Sequence, residues 1–515
     1  MKKLLLLFAV TLLIFSCKKE ATNEDIIGYA SSITSGELKE MLYTYASDEF
    51  EGRETGEPGQ KKAVEYIKKH YVKLGIPSIG DGHYFQEVPL NVVKTPKVNL
   101  VVNGTSFNYF EDFISLTAGA SEVFSTSGVI YAGYGIDHKN YSDYKDLDVK
   151  GKIVVVKSGE PKDDAENYLV SGTKEISKWS NGRQAISAKR NAAKEHGAKA
   201  LFFMDAKLFN RYSKIFKSRE EKGRGKRLTL PQKGEEIYHF LISEKLGKAL
   251  VNTINDIAEK LTVSSNVEIN YESITEPLTS ENVAAIIKGT EKPDEYVIIS
   301  SHLDHIGINS KGEINNGADD DGSGTVALLE IAEAFKVAAD KGQRPKRSVI
   351  FLHVTGEEKG LLGSQYYTDY NPLVPLANTI VDLNIDMIGR TDPKRKSTNR
   401  NYIYLIGSDK LSTELHNISE DVNKTYTNIE LDYKYNDEND PNRFYYRSDH
   451  YNFAKNNIPV IFYFNGTHAD YHRPTDTPDK IEYDLLENRA KLVFYTAWEL
   501  ANREQRITVD KASEQ

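Results

Sequence analysis

Cysteine is almost absent: Cys17 is the single one in 515 residues, so no disulfide can form within the chain. Stability must then come from packing and from any bound metal. Tryptophan and methionine are also scarce, at two and four residues. No run of 18 apolar residues is present, which excludes a helical membrane span. Long blocks of one charge are missing too. The 66 basic and 75 acidic side chains are interspersed and sum to −9, which gives no footing for nucleic-acid binding. No internal repeat or low-complexity segment interrupts the chain. A hydrophobic content of 39% over this length allows two or three domains with ample cores.

The first residues read as a processing signal. Lys2 and Lys3 precede a 12-residue apolar stretch, Leu4 to Phe15, and Cys17 follows without a small-residue cleavage pattern. An isolated cysteine there, before polar Lys18-Lys19-Glu20, resembles a bacterial lipobox. A lipidated Cys17 would supply the several buried chains that stable anchoring requires. The expected location is therefore the bacterial cell envelope, on an outer-membrane lipoprotein, with residues 17–34 as a tether.

Five metal-type side chains follow in the order His302, Asp320, Glu358, Asp386, His472. Their contexts are HLDHIG, NNGADDDGSG, TGEEKGLLGS, NIDMIG and YHRPTDT. Two imidazoles and three carboxylates can hold two divalent ions that share one carboxylate. Asp320 suits that bridge, because Gly317, Gly322 and Gly324 let the backbone turn tightly around it. Asp304, two residues beyond His302 in an extended segment, is positioned to fix its tautomer. Glu357 projects differently from its neighbour Glu358, which leaves it free as a general base. Tyr471, beside His472, can donate to an oxyanion.

Each feature alone has an ordinary explanation. A histidine after a strand is commonly a packed loop residue, and paired glutamates commonly start helices. Asp319-Asp320-Asp321 would also serve as a helix cap or a calcium loop, although the alternating spacing and distal Glu of an EF-hand are missing. Their conjunction is what points to a metal centre. The β-branched runs Tyr296–Ile299, Ser348–Val354, Ile380–Ile385 and Ile458–Phe464 each precede a candidate ligand. Helical patterns over Thr325–Lys336 and Gly360–Tyr370 lie between them. This alternation predicts an α/β fold, a mostly parallel sheet flanked by helices, with its site beyond the carboxyl ends of the strands. His353 reads as a core residue, and His305, His450 and His468 as neighbours outside the ligand set. The stretch NRFYYRSDH, with Arg443, Tyr445, Tyr446 and Arg447, is a polar aromatic cluster suited to a substrate pocket.

Together these motifs resemble the zinc-dependent M28 peptidases, over residues 35–110 and 275–505. The resemblance implies a phosphorylase/hydrolase-like fold and two Zn²⁺ per chain. One zinc would sit on His302 and Asp386, the other on Glu358 and His472, with Asp320 bridging; cobalt or manganese would also suit such ligands. It implies Glu357 as general base, Asp304 as the residue orienting His302, and a peptide or protein substrate trimmed at its ends. An aminopeptidase is expected before a carboxypeptidase or dipeptidase. A single-zinc glutaminyl cyclase-like acyltransferase and a non-catalytic binding protein are the rivals outside that chemistry. Residues 128–136, 151–161 and 181–205 resemble a protease-associated (PA) domain, a mainly β/α insert. The expected boundaries are 1–16 signal, 17–34 tether, 35–124 first part of the peptidase domain, 125–274 insert, 275–506 catalytic part and 507–515 tail. Within the insert, residues 207–227 hold nine basic and two acidic side chains and read as a solvated loop. The sequence leaves the oligomeric state open.

Overall fold

The structure is a computed structural model that describes residues 21–511, except 81, 118, 224, 232–235 and 257–258. The signal segment and Cys17 lie outside the described residues. Two compact units form, Met1–Val88 with Thr279–Gln515, and Pro89–Leu278.

The first unit is built on four adjacent parallel strands, in the sheet order Arg347–Val354, Lys292–His302, Thr379–Ile385, Val460–Phe464. In register, Ile298 faces Ile350 on one side and Asp382 on the other. Antiparallel neighbours flank them: Val283 to Ile287 on the Arg347 side and Tyr402–Ile406 on the other. The sheet is thus α/β and mostly parallel at its centre. Its strands are near-continuous apolar runs because both faces are covered. Alternate residues feed separate cores. Val297, Ile299 and Phe351 join the helical layer of Ser35–Tyr45, Pro58–Leu74, Gly324–Asp340 and Tyr483–Asn502. Ile298, Ile350 and Leu352 pack with Tyr367, Leu411 and Phe453 on the opposite face.

Two expected boundaries change here. Part of the tether is a helix, Asn23–Ala30, closed by a reciprocal capping box between Thr22 and Asp25. It buries Ile26, Tyr29 and Ala30, with the Tyr29 ring 5.4 Å from Trp498. The described end of the tail is docked as well: Ile507 is buried, and the Thr508 N–H donates to Glu414 at 3.0 Å.

The second unit holds an eight-stranded sheet whose middle strands, Glu122–Tyr131, Ile153–Lys157, Ala200–Met204 and Tyr238–Ile242, are parallel. It begins at Pro89 rather than 125. Strand Lys97–Val102 pairs antiparallel with Leu261–Glu272, and Phe113–Ser115 with Tyr238–Ile242, so residues 97–115 belong to this sheet. The basic stretch is also not a loop through most of its length. It forms helix Ala206–Glu221, capped by Asp205, which accepts the Leu208 N–H at 2.9 Å. Phe209 and Ser213, four residues apart, form its buried stripe, and its cations face outward.

Candidate metal centre

Every sequence-predicted ligand sits at the carboxyl ends of the parallel strands or in the loops that follow them. His302 ends its strand, Glu357 and Glu358 follow Val354, Asp386 follows Ile385, and the loop beyond Phe464 carries Tyr471 and His472. Asp320 lies in the turn before helix Gly324–Asp340, and the peptide bond that follows it, Asp320–Asp321, is cis.

Asp320 uses one oxygen for each half of the site. Oδ1 lies 3.2 Å from His302 Nε2, which is itself 3.6 Å from Asp386 Oδ1. Oδ2 lies 3.0 Å from His472 Nε2, which is 3.1 Å from Glu358 Oε2. His302, Asp320 and Asp386 form one potential ion-holding group; His305, Asp320 and Glu358 form another. Several of these atoms are buried without a hydrogen-bond partner: His302 Nε2, Asp320 Oδ2, Glu358 Oε1 and His305 Nδ1. Buried polar atoms normally find partners, so converging unsatisfied imidazole and carboxylate atoms fit divalent cations. Asp319 and Asp321 are committed elsewhere. Asp319 Oδ1 accepts the Gly389 N–H at 2.7 Å, and Asp321 Oδ1 accepts those of Gly324 and Met387 at 2.9 and 3.0 Å. The middle aspartate alone of the three presents both oxygens to the centre.

The supporting shell departs from expectation at Asp304. His302 Nδ1 donates to the Asp304 backbone carbonyl at 3.0 Å, while the carboxylate stands 4.0 Å away. That carboxylate instead accepts from Thr55 Oγ1 at 2.8 Å and from the Glu357 N–H at 3.1 Å. Asp304 thereby orients His302 through its main chain and fixes the Glu357 turn through its side chain. Asp386 is held by Ser448 Oγ at 2.7 Å, which accepts from Asn384 Nδ2 at 2.9 Å.

Crowding sets the protonation preferences. Burial pushes the Glu357 carboxyl well above its usual range; nearby His302 opposes this, and the charges of Glu358, Asp386 and Asp449 add to it. Burial also works against ionised Asp320, but the imidazoles of His302, His472 and His305 beside it prevail and hold it well below the usual carboxylate range.

Glu357 and Tyr471 border a cavity of about 30 Å³ together with Asp320, Asp386, Phe444 and Arg447. The Tyr471 ring stacks on His472 with centroids 3.9 Å apart. Of the NRFYYRSDH cluster, Phe444 and Arg447 reach this cavity, whereas Arg443 lies over the Tyr446 ring. His353 is a core histidine bonded to Tyr71 Oη at 2.7 Å, and His450 packs on Phe462. His468 meets Asp319 at 3.1 Å. His305 is the residue the sequence reading left out: its Nδ1 is 2.8 Å from Glu358 Oε1. Its three-residue offset from His302 was the available signal.

Residues 282–497 match the model of peptidase family M28. Aminopeptidase NAALADL1 of Mus musculus is 36% identical over 124 residues, 24% of this chain and 16% of that protein. Aminopeptidase YwaD of Bacillus subtilis is 32% identical over 151 residues, 29% and 30% of the two chains. The matched segments therefore span less than a third of either relative. Among solved structures, the aminopeptidase from Aneurinibacillus sp. strain AM-1 superposes with a TM-score of 0.51 at 20% identity, covering 95% of this chain and 98% of that one. That likeness establishes a shared fold.

Proposed function

We propose, from the match of residues 282–497 to the model of peptidase family M28, that this chain is a zinc-dependent exopeptidase that removes residues from the amino ends of peptides. The observation that carries the reading is the division of Asp320, one oxygen toward His302 and Asp386 and one toward His472 and Glu358. His302, Asp320, Asp386, His472 and Glu358 would hold two divalent ions, which would supply Lewis acidity to the scissile carbonyl and to water. Glu357 takes the proton of the attacking water and passes it to the leaving amine. Its hydrogen-bonded turn keeps that carboxyl beside the cavity. Tyr471 donates to the oxyanion that develops on the substrate carbonyl. Asp304 and Ser448 hold His302, Glu357 and Asp386 in place before substrate arrives.

Mass spectrometry of defined peptides incubated with the zinc-loaded protein tests this reading. Ladders shortened from the amino end, and lost when the amine is acetylated, are expected. Shortening from the carboxyl end would reverse the polarity in favour of a carboxypeptidase. Cyclised amino-terminal glutamine would favour an acyltransferase, and no reaction a binding protein. The lipobox-like Cys17 supports a further part of the proposal, anchorage at the bacterial cell envelope. Replacing Cys17 by Ser should move the protein from the membrane fraction to the soluble one, and unchanged fractionation would refute the anchor.

A further inference from the structure

The unit Pro89–Leu278 contains a cavity of about 110 Å³ that has no part in the metal centre. Its walls include the rings of Tyr109, Phe216 and Tyr271, and Arg219, Lys226 and Arg227 border it. Apolar walls with a few charged groups at one side are what a site for a small organic ion needs.

The charges around it do not cancel. Lys94, also on the wall, is paired with Glu276 at 2.5 Å. Glu220, which accepts from Thr95 Oγ1 at 2.5 Å, keeps its negative charge near Tyr109 and offsets one of the remaining cations. Arg219, Lys226 and Arg227 have no ion-pair partner among the described residues. Arg227 is the most telling of the three. Its only hydrogen bond among the described residues is a long one, 3.4 Å, to the Leu116 carbonyl. Desolvation by its surroundings lowers its pKa, although part of the side chain stays exposed. Tyr109 and Tyr271 line the same cavity as Arg227. Burial holds both phenols above their usual pKa, so they stay protonated donors. The Tyr271 hydroxyl is spent on the Thr117 carbonyl at 2.9 Å. The Tyr109 hydroxyl accepts the Ser115 N–H at 3.1 Å and has no acceptor of its own among the described residues. Three cations and one free phenolic donor thus border an aromatic cavity.

We propose that this cavity binds a carboxylate carried on an apolar, preferably aromatic, body. The carboxylate meets Arg227 and the Tyr109 hydroxyl, Arg219 and Lys226 add to the attraction, and the body lies against Phe216 and Tyr271. Guanidinium–carboxylate pairing is charge-assisted and geometrically selective, while the rings favour an organic acid over an inorganic anion. A peptide ending in an aromatic residue and a free aromatic acid share this chemistry.

Isothermal titration calorimetry on the zinc-loaded full chain separates the sources and tests the site. The probes are N-acetyl-L-alanyl-L-phenylalanine, its carboxamide, phenylacetate and inorganic phosphate. Tighter binding of the peptide than of phenylacetate identifies a peptide carboxyl end as the ligand, and equal affinity a free acid. Both outcomes support the site if the carboxamide and phosphate bind at least ~10-fold more weakly and Arg227→Gln loses ~10- to 100-fold, as expected for a hydrogen bond to a charged group. The exposed Arg219→Gln, which cannot disturb packing, should weaken binding in the same direction. Asp320→Ala should leave it unchanged, which distinguishes this cavity from product binding at the metal centre. Absence of binding, affinity unchanged from the native chain in both arginine variants, or loss in Asp320→Ala would overturn the proposal.

Discussion

At Glu357 two needs meet in one side chain. It must lie beside the ligands yet bind none of them, and its N–H bond to Asp304 gives it that position. Glu357→Gln keeps the shape and removes the proton carrier, so kcat should fall by ~10²- to 10⁴-fold with zinc content unchanged. Metal analysis alongside the rate checks both halves, and an unimpaired rate would remove Glu357 from the chemistry. His305 converges with Glu358 and Asp320 on one half of the candidate centre, and His305→Ala should weaken zinc binding by ~10- to 100-fold; equilibrium competition with a chelator measures it. That the five candidate ligands and Glu357 come together was legible in the sequence, because each sits in a distinctive context at a strand end. His305 was not, because whether its ring turns inward depends on a loop conformation that no local pattern encodes. The main-chain role of Asp304 was hidden for the same reason. Spacing located its side chain, but the hydrogen bond that reaches His302 comes from its carbonyl.

Helix Gly324–Asp340 supports the Asp320 turn and also carries a cost. Glu330, on that helix, is buried with one hydrogen bond, from the Thr34 N–H at 3.3 Å. Burial, with Glu37, Glu333 and Glu487 close by, raises its pKa to about 8. A carboxyl whose folded pKa exceeds its unfolded value holds its proton more tightly in the native state. Its contribution to stability is therefore best below the unfolded pKa and declines as pH rises toward about 8. Glu330→Gln should remove that decline. Its advantage over the native chain should grow across this window by up to ~1.4 kcal/mol per pH unit. Urea unfolding at pH 5 and pH 8 gives the comparison, and a pH-independent difference would contradict it. At this scale the central strands and their covering helices were legible from β-branched runs and helical periodicity. The early boundary of the second unit was not. Strand Lys97–Val102 finds its partner in Leu261–Glu272, and such distant pairing leaves no local mark. The helix in the tether escaped because its apolar stripe is only Ile26, Tyr29 and Ala30.

On the scale of the whole molecule, the candidate metal ligands all belong to one of the two units, each with its own hydrophobic clusters. A ligand that binds only the folded state stabilises what it binds. Calorimetry with and without chelator should therefore shift unfolding of Met1–Val88 with Thr279–Gln515, while Arg227→Gln leaves that shift intact. Equal stability with and without metal would mean that the cluster holds none. The most direct measurement is a titration of the chelator-stripped chain with zinc, following release of the amino-terminal residue from an unblocked peptide. Activity should rise from baseline and level off at two equivalents per chain, and Asp320→Ala should fail to reach it. Hydrolysis that ignores zinc, or saturates at one equivalent, would contradict a two-ion centre bridged by Asp320.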